Sequence, residues 1–111
     1  MKLLIAGSRS IAEFDLDDYI PSNVELIITG GAKGVDTVAE KYADKHNISK
    51  LVLRPQYNRF GKGAPLKRNE EMIDIADSVL VIWDGKSRGT NYTVTKAKEK
   101  SKPITLININ E

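Results

Sequence analysis

Three short segments rich in glycine and polar side chains each follow an apolar run of the sequence. They are Gly7-Ser8-Arg9-Ser10, Gly30-Gly31-Ala32-Lys33-Gly34 and the seven residues from Asp84 to Thr90. Hydroxyl groups, free backbone amides and the planar guanidinium of arginine are the donors that hold phosphate oxygens. The chain contains no GxxxxGK[ST] pattern and no strict GxGxxG pattern, which disfavours a P-loop NTPase. We therefore predict a site for a phosphate-bearing ligand.

The distribution of the glycines indicates one location for these segments. All eight glycines lie between the end of a predicted strand and the start of the next helix. In a parallel sheet these connections meet at one edge, where open α/β domains bind ligands and helix N-termini favour anions. The alternative is that the glycines only serve the tight turns of a small domain.

Five apolar runs predict the strands of that sheet. They are Lys2–Ala6, Val24–Thr29, Leu51–Leu53, Ser78–Trp83 and Ile104–Ile109. The runs are nearly continuous, which is typical of parallel strands covered on both faces. Helical spacing predicts a helix in each connection. These helices cover residues 11–20, ended by Pro21, residues 35–47, a segment starting near Pro65, and about Thr90 to Lys100.

This order of elements predicts an α/β fold. We expect a three-layer, Rossmann-like, doubly wound parallel sheet of five strands in the order 3-2-1-4-5. A length of 111 residues corresponds to one domain, residues 1–111. With that order, the ligand crevice lies between strands 1 and 4.

Composition excludes several kinds of chemistry. The absence of cysteine rules out disulfides, thiolate metal sites and a cysteine nucleophile, and a single histidine, His46, rules out a multi-histidine metal site. We predict no metal and no cofactor. No apolar run approaches the roughly 18 residues that cross a bilayer, and none resembles a signal-peptide core, so we expect no membrane partner and a cytoplasmic protein.

Charge is unevenly distributed, although the net charge is only +2. Residues 54–68 hold five cations and no acid, residues 86–102 hold six cations and one acid, and residues 13–25 hold five acids and no base. Tyr57 and Phe60 lie among the first set of cations, a combination suited to stacking on bases. Single-stranded nucleic acid is therefore an alternative partner, and solvated surface charge is the simpler interpretation.

The order of these segments resembles the SLOG superfamily. The matching residues are Gly7-Ser8-Arg9, Gly30 to Asp36, Arg68-Asn69 and Ser87-x-Gly89-Thr90, within residues 3–98. The match is nearest to small stand-alone phage and bacterial members. The resemblance implies a Rossmann-like nucleotide-binding domain that is commonly a homo-oligomer.

Two branches of that superfamily suggest activities. The cytokinin-activating phosphoribohydrolases, often labelled lysine decarboxylases, cleave the N-glycosidic bond of nucleoside monophosphates, and their arginine and methionine match Arg68 and Met72. The lysine that follows that arginine is replaced by Asn69. Their PGGxGTxxE element keeps its GT pair here, but Thr93 stands at the position of the glutamate. The DNA-processing A branch binds single-stranded DNA, usually in longer chains.

The missing glutamate matters because N-glycosidic cleavage needs a carboxylate that stabilises an oxocarbenium-like centre or activates water. Asp84, in the third segment, and Asp36, two residues after the second, are the only acids in the predicted edge loops, so they and Arg68 are the catalytic candidates of a hydrolase. In a binding protein, Asp36 would instead accept hydrogen bonds from ribose hydroxyls. Either acid could equally be a helix-end or turn residue.

The candidate ligand-binding residues lie in the edge segments, near the starts of the second and third predicted helices, and at the end of strand 4, where Trp83 either stacks on a base or packs in the core. They are Gly7, Ser8, Arg9, Gly30, Gly31, Ala32, Gly34, Asp36, Arg68, Asn69, Trp83, Gly85, Ser87, Gly89 and Thr90. We favour a homo-oligomeric sensor of a nucleotide-type ligand. The alternatives are hydrolysis of nucleoside 5′-monophosphates and binding of single-stranded nucleic acid.

Overall fold

In the computed structural model, residues 1–109 are described and contain five strands and four helices. The strands are β1 (Lys2–Gly7), β2 (Leu26–Thr29), β3 (Ser49–Val52), β4 (Ser78–Trp83) and β5 (Ile104–Asn108). The helices are α1 (Val35–Lys45), α2 (Tyr57–Phe60), α3 (Ala64–Ile75) and α4 (Arg88–Glu99), with a 3-10 turn at Gly61–Gly63. The bounds of β1, β4, α1, α3 and α4 agree with the sequence prediction to within a few residues.

The five strands form one parallel sheet in the order β3-β2-β1-β4-β5, which confirms the predicted order. Central β1 pairs Leu4 with Ile28 of β2 on one side and with Val79 of β4 on the other. All three of these side chains are buried. The apolar run of β1 has no charged residue after Lys2, so it can lie between two neighbours with both faces covered.

Helices cover the two faces of the sheet to give three layers. Leu3 and Ile5 of β1 pack with α1 on one face, whereas Leu4 and Ala6 pack with α3 and α4 on the other. Successive strand residues point to opposite faces, so one apolar strand supplies both cores. The connection from β3 to β4 crosses from one face to the other, and the sheet is therefore doubly wound as predicted.

The segment between β1 and β2 differs from the prediction, because residues 11–20 contain turns and no helix. The carboxylate of Asp15 accepts the backbone N–H of Asp17 at 2.9 Å, a local bond that competes with helical hydrogen bonding. Leu16 is buried against the α1 side of the sheet, and Phe14 and Tyr19 pack their rings 5.6 Å apart. The apolar residues that suggested a helix thus cover the sheet as an irregular segment.

The strand-to-helix connections meet at the carboxyl edge of the sheet. Here α1 begins after Gly34, α3 carries Pro65 in its first turn, and α4 begins after Ser87. These three helix N-termini surround the ends of β1 and β4. No helix in residues 1–109 is both long and apolar enough to span a bilayer.

Candidate functional site

An open cavity of about 420 Å³ lies at the carboxyl edge of the sheet, beside the end of β1. The first turn of α1, one face of α3 and the N-terminus of α4 form its walls. The predicted residues that line it are Gly7, Arg9, Ala32, Asp36, Arg68, Asn69, Asp84, Ser87, Gly89 and Thr90. The structure therefore brings residues from all the predicted segments to one hollow.

The other predicted residues lie outside the lining, namely Ser8, Gly30, Gly31, Gly34, Trp83 and Gly85. Ser8 is fully buried, donates its N–H to the Ile82 carbonyl at 3.0 Å, and accepts the N–H of Asp84 on its hydroxyl at 2.9 Å. Trp83 packs against the α3 and α4 core and donates its indole N–H to the Ser87 carbonyl at 3.0 Å. Ser8 and Trp83 therefore position the loops, and Trp83 takes the core position that the sequence left open.

Gly7, Gly30 and Gly34 are edge glycines that pack closely against other parts of the protein. A Cβ on Gly7 would clash with the Ile82 carbonyl oxygen, and one on Gly34 would clash with the Ser8 carbonyl oxygen. Gly34 also has φ of +83°, which side chains rarely adopt. A Cβ on Gly30 would lie 2.7 Å from Nη1 of Arg68. At these positions the absence of a side chain serves loop packing.

Arg68 joins the ends of two strands. It is only 9% exposed, and its Nη1 donates to the Gly30 carbonyl at 2.6 Å and to the Leu53 carbonyl at 3.1 Å. Its Nε donates to Oδ1 of Asn69 at 2.8 Å. Burial lowers the pKa of the guanidinium, and the charge of Asp36 counteracts this effect. Nη2 remains as the donor for a ligand, since Arg68 lines the cavity.

Asp36 lies in the first turn of α1 and is 8% exposed. Its Oδ2 accepts the N–H of Ala32 at 3.2 Å. Burial raises the pKa of this carboxyl above its ordinary value, although the Ala32 hydrogen bond and the charge of Arg68 oppose the shift. A partly desolvated carboxylate at a cavity wall can accept a ribose hydroxyl or act as a base.

Asp84 has a different environment, because its carboxylate organises the β4–α4 loop. Oδ1 accepts the N–H groups of Lys86 at 2.8 Å and Ser87 at 3.0 Å, and Oδ2 accepts the hydroxyl of Ser10 at 2.8 Å. These hydrogen bonds lower the pKa of Asp84 to about 2, and the one from the Lys86 N–H has the largest effect. Such a carboxylate is ionised at neutral pH and is a weak base, which disfavours it as the catalytic acid or base.

The N-terminus of α4 is capped but accessible. The Ser87 hydroxyl accepts the N–H of Thr90 at 3.3 Å, the usual role of an N-cap serine. A Cβ on Gly89 would meet no heavy atom within 4 Å, so the helix end is open toward the cavity that Gly89 lines. Thr93, at the position of the missing glutamate, is buried and donates its hydroxyl to the Gly89 carbonyl at 3.1 Å.

The sequence prediction did not assign several lining residues to the ligand site. They are Ala6, Ser10, Pro65, Leu66, Met72 and Thr93. A spacing of three to four residues places side chains on one face of a helix, and in α3 it relates Pro65, Arg68 or Asn69, and Met72. Once Arg68 was a candidate, that spacing was a signal that could have identified Pro65 and Met72.

The fold and the cavity define a Rossmann-like α/β domain with a hollow at the carboxyl edge of its sheet. Among known proteins, the chain is similar to the Gene 61 protein of Mycobacterium phage D29, with 29% identity over 116 residues that cover 93% of each chain. No protein-family model matches the chain. No solved structure matches it.

Proposed function

We propose that this chain binds a nucleotide or nucleotide-derived ligand in the edge cavity, acts as a ligand sensor, and is a small member of the SLOG superfamily. The observation that supports this most strongly is the meeting of an open helix N-terminus, a buried arginine and a buried carboxylate in one hollow. The volume of about 420 Å³ lies within the roughly 300–1,000 Å³ typical of small-molecule sites.

The phosphate lies at the N-terminus of α4. Thr90 and Asn91 donate their N–H groups to Ser87, which leaves the N–H groups of Arg88 and Gly89 without an acceptor among residues 1–109. These donors and the helix dipole favour a dianionic group at this end of the cavity, and Arg9 adds positive charge to the same lining.

The rest of the ligand lies against α1 and α3. Asp36 faces the cavity as an acceptor for ribose hydroxyl groups. Pro65, Leu66 and Met72 supply the apolar part of the lining, against which a base or another flat group can pack.

Substitution of Gly89 tests this placement. Gly89→Glu puts a carboxylate at the helix end, with a Cβ that meets no heavy atom within 4 Å, and an acid in the first turn of a helix is favourable for stability. We expect Tm without ligand to stay equal or rise, whereas the Tm increase given by AMP, ADP-ribose or NAD in the parent protein disappears. Differential scanning fluorimetry measures both effects.

Gly89→Gln is the matched control, because it adds nearly the same volume without charge. Stronger loss of ligand response in the Glu variant than in the Gln variant supports a phosphate at this position. If no nucleotide raises the Tm of the parent protein across a broad panel, or if Gly89→Glu still responds fully, the proposal is wrong.

Hydrolysis of nucleoside 5′-monophosphates is a second candidate, favoured by the buried Asp36 beside Arg68. The raised pKa of Asp36 is the property expected of a catalytic carboxyl, and Asp84 lacks it. Chromatography of released base would detect the activity. Asp36→Asn should abolish release and Asp84→Asn should retain it; no free base from the parent protein excludes this activity for the monophosphates tested.

A further inference from the structure

The loops around the cavity carry many cations and few acids. Eight exposed basic residues lie in the segments and short helical turns that follow the carboxyl ends of the strands: Arg9, Lys33, Arg54, Arg59, Lys62, Lys67, Lys86 and Arg88. None of them takes part in an ion pair among residues 1–109. We name these eight residues the cationic rim.

Acids do not balance this charge. In the same connections and first turns, from β2 onward, the described acids are Asp36, which is buried, and Asp84, which is bound by the loop. The acids of residues 13–18 belong to the irregular segment that packs on α1, and three of them, Glu13, Asp15 and Asp17, line a separate hollow together with Lys41 and Lys45. The cationic rim is therefore a local excess of positive charge at the edge of the sheet that holds the cavity.

One phosphate does not need this charge. The N-terminus of α4 and Arg9 already supply donors and charge for a single dianionic group inside the cavity. Lys33, Lys62 and Lys86 lie on three different connections, and their ammonium groups make no hydrogen bond, ion pair or cation–π contact among residues 1–109. Once a first phosphate occupies the cavity, free ammonium groups at the same edge of the sheet can bind further anionic groups outside it.

We propose that the ligand carries at least two phosphate groups, one at the N-terminus of α4 and the next outside the cavity on the cationic rim. This inference rests on the proposed function and names its substrate class: nucleoside diphosphates and triphosphates, or dinucleotides joined through a diphosphate. Nucleoside monophosphates are the weaker ligands of the same site.

A pair of charge-matched variants tests the inference. The rim variant combines Lys33→Gln, Lys62→Gln and Lys86→Gln. The control variant combines Lys2→Gln, Lys45→Gln and Lys98→Gln, which removes the same charge from exposed lysines at the opposite edge of the sheet. Calorimetric titration with adenosine and guanosine mono-, di- and triphosphates and with ADP-ribose gives the affinities, and circular dichroism confirms folding.

We expect the diphosphates to bind the parent protein about tenfold more tightly than the monophosphates, with a steeper loss on added salt. The rim variant should lose that preference while keeping monophosphate affinity, and the control variant should keep both.

Equal binding of mono- and diphosphates, or an unchanged preference in the rim variant, overturns this inference and leaves the proposed function intact. Absence of any nucleotide binding overturns both. Affinity that keeps increasing with the length of a single-stranded oligonucleotide overturns it in favour of nucleic acid.

Discussion

Arg68 has a structural role that is separate from any contact with a ligand. It connects the carbonyls of Gly30 and Leu53, which follow β2 and β3 and lie 38 and 15 residues away in the chain. The sequence could identify Arg68 as a candidate because Arg68-Asn69 is one of the motifs that resemble the SLOG superfamily. It could not show that two carbonyls already occupy Nη1, because such long-range partners depend on the three-dimensional arrangement of the loops.

We therefore expect Arg68→Ala to destabilise the protein in the absence of ligand. The substitution leaves the Gly30 and Leu53 carbonyls without their donor, at a cost of about 2–3 kcal/mol. For a domain of this size, that corresponds to a decrease in Tm of about 10 °C. Asn69→Ala, which removes only the acceptor of Nε, should cost about 1 kcal/mol. Thermal denaturation followed by circular dichroism measures both, and an unaltered Tm in Arg68→Ala would contradict the structural role.

The β4–α4 loop shows how one carboxylate organises an element boundary. Asp84 accepts two backbone N–H groups of its own loop and the Ser10 hydroxyl of the β1 loop, and its N–H binds Ser8. The polar loop composition predicted a turn at this position. The hydrogen bond from Ser10, 74 residues away in the chain, could not be predicted from the local sequence pattern.

This loop should be sensitive to acid. The folded pKa of Asp84 is about 2, below its ordinary value, so its contribution to stability is complete above about pH 4 and is lost as pH falls toward 2. Asp84→Asn should be less stable than the parent protein at pH 7, and the difference should shrink as pH decreases through that range. Chemical denaturation at several pH values measures the difference; a constant gap between pH 7 and pH 2.5 would argue against the assigned hydrogen bonds.

For the whole molecule, the apolar runs predicted the strands, because they mark the segments that can be buried, whereas the strand order was predicted from the commonest arrangement of doubly wound sheets. The segment over residues 11–20 was mispredicted, because its apolar spacing fits a helix while Asp15 forms a local turn instead. The loop glycines predicted the edge of the sheet at which the cavity lies. The sequence could not distinguish glycines that line the cavity, such as Gly89, from those that pack against other loops, such as Gly34.

At this scale, the predicted homo-oligomer is open to direct measurement. A domain of 111 residues with an open cavity at its edge is expected to form at least a dimer. Native mass spectrometry of the freshly purified protein should show at least twice the 12.3 kDa mass of the chain, together with any ligand retained from the host. A purely monomeric spectrum across micromolar concentrations would refute the oligomer.

The close packing at Gly7 and Gly34 also limits what genetic screens can reveal about this molecule. In a saturation library selected only for intact folding, positions 7 and 34 should tolerate glycine almost alone, whereas positions 63 and 89, with open space beside them, should accept many amino acids. Intolerance at 7 or 34 would therefore report on assembly of the polypeptide, and tolerance at 89 would not mean that this position is unimportant. Only selection for binding of the proposed ligand can reveal a functional constraint at position 89.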